Sequence, residues 1–195
     1  MSKRLILGST SAYRRGLLQR LGLPFDCEAP GTDEAEVAGE APAARAARLA
    51  ASKAAAVAAR FPDAWIIGSD QVASCDGPAG PVILDKPGTP ERWRAQLALL
   101  SGRTAKFHTA VALHGPGRVL QHVDVTEVKF WAFGTADAER YMAREPALDC
   151  AGGFKAEGAG VALMERLSSD DPTAIVGLPL IWLSGALRSA GFALP

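Results

Sequence analysis

The sequence predicts an α/β domain, and three observations carry that prediction. First, Leu5-Ile6-Leu7 and Trp65-Ile66-Ile67 are short apolar runs of strand length. A strand buried on both faces reads as continuous hydrophobics. Second, the first run passes through Gly8-Ser9-Thr10-Ser11 into a segment whose apolar face is Leu17, Leu18 and Leu21. That is a strand, a turn of small residues and a helix. Third, Pro42 to Arg60 is alanine-rich with no internal glycine or proline, which predicts a long helix.

Composition bounds the class. The 195 residues are 48% hydrophobic and 22% charged, enough apolar material for a core in one domain of 1–195. The formal net charge is +0, with 21 basic and 21 acidic residues. Duplex nucleic acid is held by excess Lys and Arg, so no nucleic-acid partner is expected. Cys27, Cys75 and Cys150 are widely spaced and contain no CxxC pair, which suggests neither a zinc site nor a disulfide framework. The apolar start is too brief for a signal peptide, and no stretch approaches membrane-helix length. The expectation is a cytoplasmic protein with no membrane partner.

Taken in order, Phe25 to Ala29 predicts a second strand, broken by Pro30-Gly31, and the acidic loop Asp33, Glu34, Glu36 follows. The central strand from Trp65 is read as stopping at Gly68, with Asp70 just beyond it. Val72 to Cys75 continues extended and pairs with Val82 to Leu84 across the turn residues Asp76 to Pro81. Thr89 to Leu100 predicts a helix capped by Thr89, with Pro90 at its first position and Glu91 in its first turn. Thr104 to Leu113 and Val119 to Phe130 predict a second hairpin, with His108, His114 and His122 on its surface. Thr135 to Arg144 is a helix, Val161 to Met164 a strand, Ser168 to Asp171 a polar loop and Pro179 to Ala190 a closing helix.

Several residues have the chemistry of an anion site. A strand, a hydroxyl-rich turn and a helix aim backbone N–H groups at an anion. Ser9 and Ser11 can cap the helix or donate to phosphate, and Arg14 and Arg15 lie one turn in. No G-K-[ST] is present, so this is not a Walker A loop. Asp70 sits where open α/β sheets place ligands. Asp33 and Glu34 are candidate partners for a hard cation. Arg45, Leu49 and Lys53 share one helix face, and Lys86 is held extended before Pro87. Four glycines from Gly152 to Gly160, around Lys155 and Glu157, suggest backbone approaching a ligand closely.

Together, Ser9-Thr10-Ser11-Ala12-Tyr13-Arg14-Arg15, Asp33-Glu34, Leu49 with Lys53, Gly68-Ser69-Asp70-Gln71, Lys86-Pro87 and Gly177-Leu178-Pro179-Leu180 resemble the Maf family of nucleoside triphosphate pyrophosphatases. The resemblance runs from Leu5 to about Arg188. It departs from the family pattern at Ala12, usually proline, and at Asp85, usually glycine. It implies a fold like that of inosine triphosphate pyrophosphatases: an elongated curved mixed sheet flanked by helices, with a cleft between two lobes. One branch of the family is similar to dTTP/UTP pyrophosphatases and carries Ala-Asp-Thr at Ser69 to Gln71 and glutamine at Glu157. The other resembles 7-methyl-GTP pyrophosphatase. Gly68 to Gln71, Tyr13 and Phe154 to Gly158 fall on that side.

The resemblance implies hydrolysis between the α and β phosphates. It makes Asp70 the general base, and gives the phosphates to Ser9, Ser11, Arg14, Arg15, Lys53 and Lys86. Glu34 and Asp70 would hold Mg²⁺ or Mn²⁺. Tyr13, Gln71 and Glu157 would set specificity. A cationic 7-methylguanine ring suits an aromatic face such as Tyr13 and a carboxylate such as Glu157. The expected partner is a nucleoside triphosphate, with a homodimer left open. The competing readings are a dTTP/UTP pyrophosphatase and a non-catalytic nucleotide-binding regulator of septum formation.

Overall fold

A computed structural model describes residues 3–77 and 80–194. The strands are β1 (Leu5–Leu7), β2 (Asp26–Cys27), β3 (Trp65–Gly77), β4 (Gly80–Leu84), β5 (Thr104–Gly115), β6 (Arg118–Phe130) and β7 (Met164–Ser168). The helices are α1 (Ala12–Gln19), α2 (Pro42–Ala58), α3 (Pro90–Leu100), α4 (Thr135–Arg144) and α5 (Leu180–Ser189). The strand order is β2-β1-β3-β5-β6-β7, with β4 pairing β3. β1 runs parallel to β2 and β3, whereas β3–β4 and β6–β7 are antiparallel, so the sheet is mixed.

The chain divides into two compact units. The first comprises 1–71, 109–124 and 171–195. Alternation along its strands buries both faces of β1 and β3. Leu5, Leu7, Trp65 and Ile67 pack with Leu17 and Leu18 of α1 and Leu183 and Leu187 of α5. Ile6 and Ile66 point the other way, onto Ala54 and Val57 of α2. This unit therefore has two cores, one on each side of its strands.

The second unit comprises 72–108 and 125–170. Its core is aromatic. The Phe130 and Phe154 ring centroids lie 5.0 Å apart in an edge-to-face arrangement, and those of Trp93 and Tyr141 lie 5.9 Å apart. Thr89 caps α3 as predicted, its hydroxyl accepting the Arg92 N–H at 3.3 Å.

Several expectations need correction. β3 does not stop at Gly68; it runs unbroken to Gly77, so Asp70 lies inside the strand. Gly68 serves the packing of α2, since a Cβ there would meet Ala54 N at 2.6 Å. The second strand shrinks to Asp26–Cys27 because only those residues find register with β1. Val161 does not begin a strand: Ala159–Leu163 is a 3₁₀ turn, and pairing with β6 starts at Met164. The hairpin turn predicted at Asp76 to Pro81 includes Pro78 and Ala79, which lie outside the described residues. His122 is half-buried on β6, its ring stacked on Trp182 with centroids 5.3 Å apart.

Candidate active site

The site is built around Asp70 in the first unit. α2 and β3 approach closely at Gly68, and this brings Lys53 of α2 onto Asp70 of β3. Lys53 Nζ donates to Asp70 Oδ1 at 2.5 Å and pairs with Glu34 Oε1 at 2.7 Å. Lys53 and Asp70 are both buried, so this is a desolvated pair. Lys53 on its alanine-rich helix is therefore turned inward.

Glu34 comes from the loop before α2. Arg48 of α2 ties that loop down with a two-pronged contact to Glu40, at 2.8 and 2.7 Å, and a bond to the Ala35 carbonyl. The other acidic residues have local tasks. Asp33 Oδ1 accepts the Ala35 N–H at 3.1 Å, which is an Asx turn, and Glu36 pairs with Arg45 at 3.6 Å.

The turn after β1 contributes the hydroxyls. Ser9 is buried, and its Oγ accepts the Ser11 N–H at 3.2 Å. Ser11 is the N-cap of α1, its Oγ accepting the Arg14 N–H at 3.3 Å. An accepting hydroxyl keeps its own proton for donation, so both serines can still serve an anion.

Arg14 is half-buried. Its Nε donates to the Gly177 carbonyl at 2.9 Å. Burial pulls its guanidinium below the ordinary value, while the Asp70 and Glu34 carboxylates pull it back up. With Nε committed, the two terminal amino groups keep a fork suited to phosphate. Tyr13 is half-buried one residue earlier. Arg15 is exposed and lines a groove with Gln19 and Leu23 to Cys27, so the structure does not gather it with Arg14.

Gln71 has a partner set that sequence reasoning did not anticipate. Its Nε2 lies 2.9 Å from Thr109 Oγ1, 3.1 Å from the Ala174 carbonyl and 2.9 Å from the Ile175 carbonyl. Ser69, fully buried, donates toward the Ala110 carbonyl at 2.8 Å and the Gly177 carbonyl at 2.9 Å. Neither Ser69 nor Thr109 received a role from sequence. The available signal was a serine close behind the apolar run Trp65-Ile66-Ile67 of the same strand.

Lys86 and Glu157 belong to the second unit, and both are exposed. The backbone before Lys86 is fixed by Gln96 Nε2, which donates to the Asp85 carbonyl at 2.9 Å. Glu157 lies in a segment pinned by α4. Tyr141 Oη accepts the Lys155 N–H at 3.0 Å, and the Glu145 carboxylate accepts the Ala159 N–H. The glycines here make room for the protein's own side chains. A Cβ on Gly153 would meet Trp93 Nε1 at 2.5 Å, and one on Gly160 would meet Phe154 Cε2 at 2.6 Å. Packing within the second unit thus accounts for Gly153 and Gly160.

A family profile described as Maf-like protein matches residues 4–190. The chain belongs to the Maf family. It is 60% identical over 195 residues to the 7-methyl-GTP pyrophosphatase of Xanthomonas oryzae pv. oryzae, with 100% of both chains covered. It is 50% identical over 189 residues to a Bordetella avium protein of the same name, covering 96% of this chain and 93% of that one. Among solved structures it is similar to a HAM1 protein from Coxiella burnetii, at 17% identity and a TM-score of 0.51, covering 96% of this chain and 100% of that one. That last likeness is one of fold: the mixed α/β architecture is shared.

The donor set of this Maf chain can be tested against the divalent cation implied by the resemblance. Glu34 and Asp70 each pair one carboxylate oxygen with Lys53 Nζ, which brings the two carboxylates to one place. Mg²⁺ is commonly held by one or two carboxylates together with substrate phosphates, and this pair fits that pattern. Among the described residues no group of three or more His, Cys, Asp or Glu converges, so the protein alone offers no cage.

Proposed function

We propose that this Maf chain hydrolyses 7-methyl-GTP to 7-methyl-GMP and diphosphate. The observation that carries the reading is the Glu34–Lys53–Asp70 cluster, buried at its centre and acting on Arg14. The substrate class follows the names of the relatives at 60% and 50% identity.

In this reading Asp70 accepts a proton from water as the water oxygen bonds to the α-phosphorus. Oδ1 is held by Lys53, which fixes the carboxylate and leaves Oδ2 for the water. The bond from the α-phosphorus to the α–β bridging oxygen breaks in line, and diphosphate departs with that oxygen. Catalysis of this kind is positioning and charge neutralisation. Arg14 and Lys53 stabilise the growing charge, and Ser9 and Ser11 donate hydroxyls to the phosphates. The resemblance gives Arg15 and Lys86 the same task. Glu34 and Asp70 would hold Mg²⁺ or Mn²⁺, which when bound neutralises phosphate charge.

Base choice is assigned to Tyr13, Gln71 and Glu157. Tyr13 would stack on the cationic 7-methylguanine, a contact of about 1 kcal/mol. Glu157 would accept from its N1–H and 2-amino group, bonds that the positive ring strengthens. The protein works in the cytoplasm, away from nucleic acid and membrane, as a monomer or homodimer. No described helix is long and apolar enough to cross a membrane.

Hydrolysis in ¹⁸O-labelled water tests the chemistry. The expected result is one label in 7-methyl-GMP and none in diphosphate. Label in the diphosphate, or release of 7-methyl-GDP with orthophosphate, would overturn the α-phosphorus attack.

A further inference from the structure

We infer that Glu145, admitted by the bare backbone of Gly158, is a positioning residue that holds Glu157 in place for the base, and so sets the preference for 7-methylguanine through another side chain. The inference rests on the proposed reading of Glu157 as the carboxylate that accepts from the base.

A contact made by a mobile group loses affinity to the cost of ordering it, so a carboxylate that reads a base needs a fixed backbone. Glu157 is exposed, and its backbone is tied to α4 on both sides. Upstream, Tyr141 Oη accepts the Lys155 N–H at 3.0 Å. Downstream, the Glu145 carboxylate accepts the Ala159 N–H. Between these ties, the Gly158 N–H donates to the Lys155 carbonyl at 3.4 Å, which closes a turn with Ala156 and Glu157 at its centre. Glu145 is the C-cap of α4, its own N–H bonded to the Tyr141 carbonyl at 2.9 Å, so both ties start from one helix end.

Gly158 lets the carboxylate in. A Cβ there would overlap both Glu145 carboxylate oxygens, the far end of a flexible side chain, so a methyl group would push the carboxylate aside and leave the backbone where it is. Burial above all raises the Tyr141 phenol, and the charges of Glu145 and Glu157 add to it, so both carboxylates stand near one hydroxyl. Glu145 itself is half-buried and bonded to its own chain. The tie uses its oxygen as an acceptor and does not need its charge.

The test is binding of 7-methyl-GMP and UMP, which carry no α–β phosphate bond to cleave, read by calorimetry as the ratio of their dissociation constants. The proteins are the wild type, Glu157→Gln, Glu145→Ala, Glu145→Gln, Gly158→Ala and the double variant Glu145→Ala/Glu157→Gln. Glu157→Gln should narrow the wild-type preference for 7-methyl-GMP by about tenfold, the size of one lost charge-assisted hydrogen bond. Glu145→Ala and Gly158→Ala should narrow it by a similar factor. Glu145→Gln keeps an oxygen for the Ala159 N–H and should restore the preference. The double variant should be no narrower than Glu157→Gln alone. A purely structural role would lower the thermal midpoint of Glu145→Ala and leave its ratio unchanged, and that result would overturn the inference. So would further narrowing in the double variant, or a Glu145→Gln protein as impaired as Glu145→Ala. A wild type without preference, or Glu157→Gln with full preference, would instead remove the proposed reading of Glu157, and the inference with it. Because binding is read without turnover, failure of the proposed hydrolysis is seen separately, as absent product from a protein that still binds. Gly158→Ala serves if Glu145→Ala does not fold.

Discussion

A buried ammonium and a buried carboxylate, Lys53 Nζ and Asp70 Oδ1, lie 2.5 Å apart. Removing one partner of a buried pair leaves the other charge without compensation, at a cost of about 3–5 kcal/mol. Lys53→Met should lose stability of that order in urea unfolding. Asp70→Asn should lose less, because Lys53 retains Glu34 at 2.7 Å. The double variant Lys53→Met/Asp70→Asn should be more stable than the sum of the two single losses predicts. Additive losses would mean that the pair is not coupled in solution.

Gly68 sets how closely the helix carrying Lys53 can approach the strand carrying Asp70. A Cβ there meets backbone of α2, which cannot swing away as a side chain could. Gly68→Ala should destabilise the protein by about 1–3 kcal/mol, as overpacking does. It should also lower kcat, because it spreads the Lys53–Asp70 contact. A thermal midpoint equal to that of the wild type would show that α2 shifts without strain.

In the second unit, Tyr141 accepts the Lys155 N–H, two residues before Glu157. Tyr141 is buried, and burial pushes its phenol well above the ordinary range, so it stays protonated across working pH. Tyr141→Phe strands a backbone donor and should cost about 1–3 kcal/mol. If Glu157 reads the base, the same change should narrow the preference for 7-methyl-GTP over GTP. Unchanged preference together with lost stability would restrict Tyr141 to a structural task. Glu157→Gln should narrow the preference for 7-methyl-GTP over UTP, and a variant with full preference would remove Glu157 from base reading.

His108 gives a pH signature. Burial, then the nearby Lys106 charge, hold its imidazole below the ordinary 6.5. The unfolded chain therefore takes up the proton first as pH falls, and stability is lost from just above pH 6.5 downward. Thermal midpoints should fall between about pH 7 and 5, and fall less in His108→Gln. Parallel pH curves for the two proteins would contradict the assignment.

Local periodicity made much of the fold legible. The buried runs at Leu5–Leu7 and Trp65–Ile67 and the capped start of α3 are short-range patterns, and the chain follows them. What stayed hidden depended on distant partners. Gly68 looks like a strand end until α2 is packed on it. Gly153 and Gly160 have no visible task until Trp93 and Phe154 are packed against them. For the site, the charged residue types at Glu34, Lys53 and Asp70 could be named from sequence, as could Arg14. The part of Ser69, Gln71 and Gly177 could not, because their bonds join residues more than 100 positions apart. No window of sequence contains that information.

The most direct measurement is diphosphate release with Mg²⁺ from 7-methyl-GTP, GTP, UTP, dTTP and CTP, with Asp70→Asn as the blank. The account predicts the highest kcat/KM for 7-methyl-GTP and a fall of roughly two orders of magnitude or more in Asp70→Asn, in line with loss of a general base. Preference for UTP or dTTP would keep the chemistry and contradict the roles of Tyr13 and Glu157. Wild-type release from Asp70→Asn, or no release from any nucleotide, would contradict the central claim.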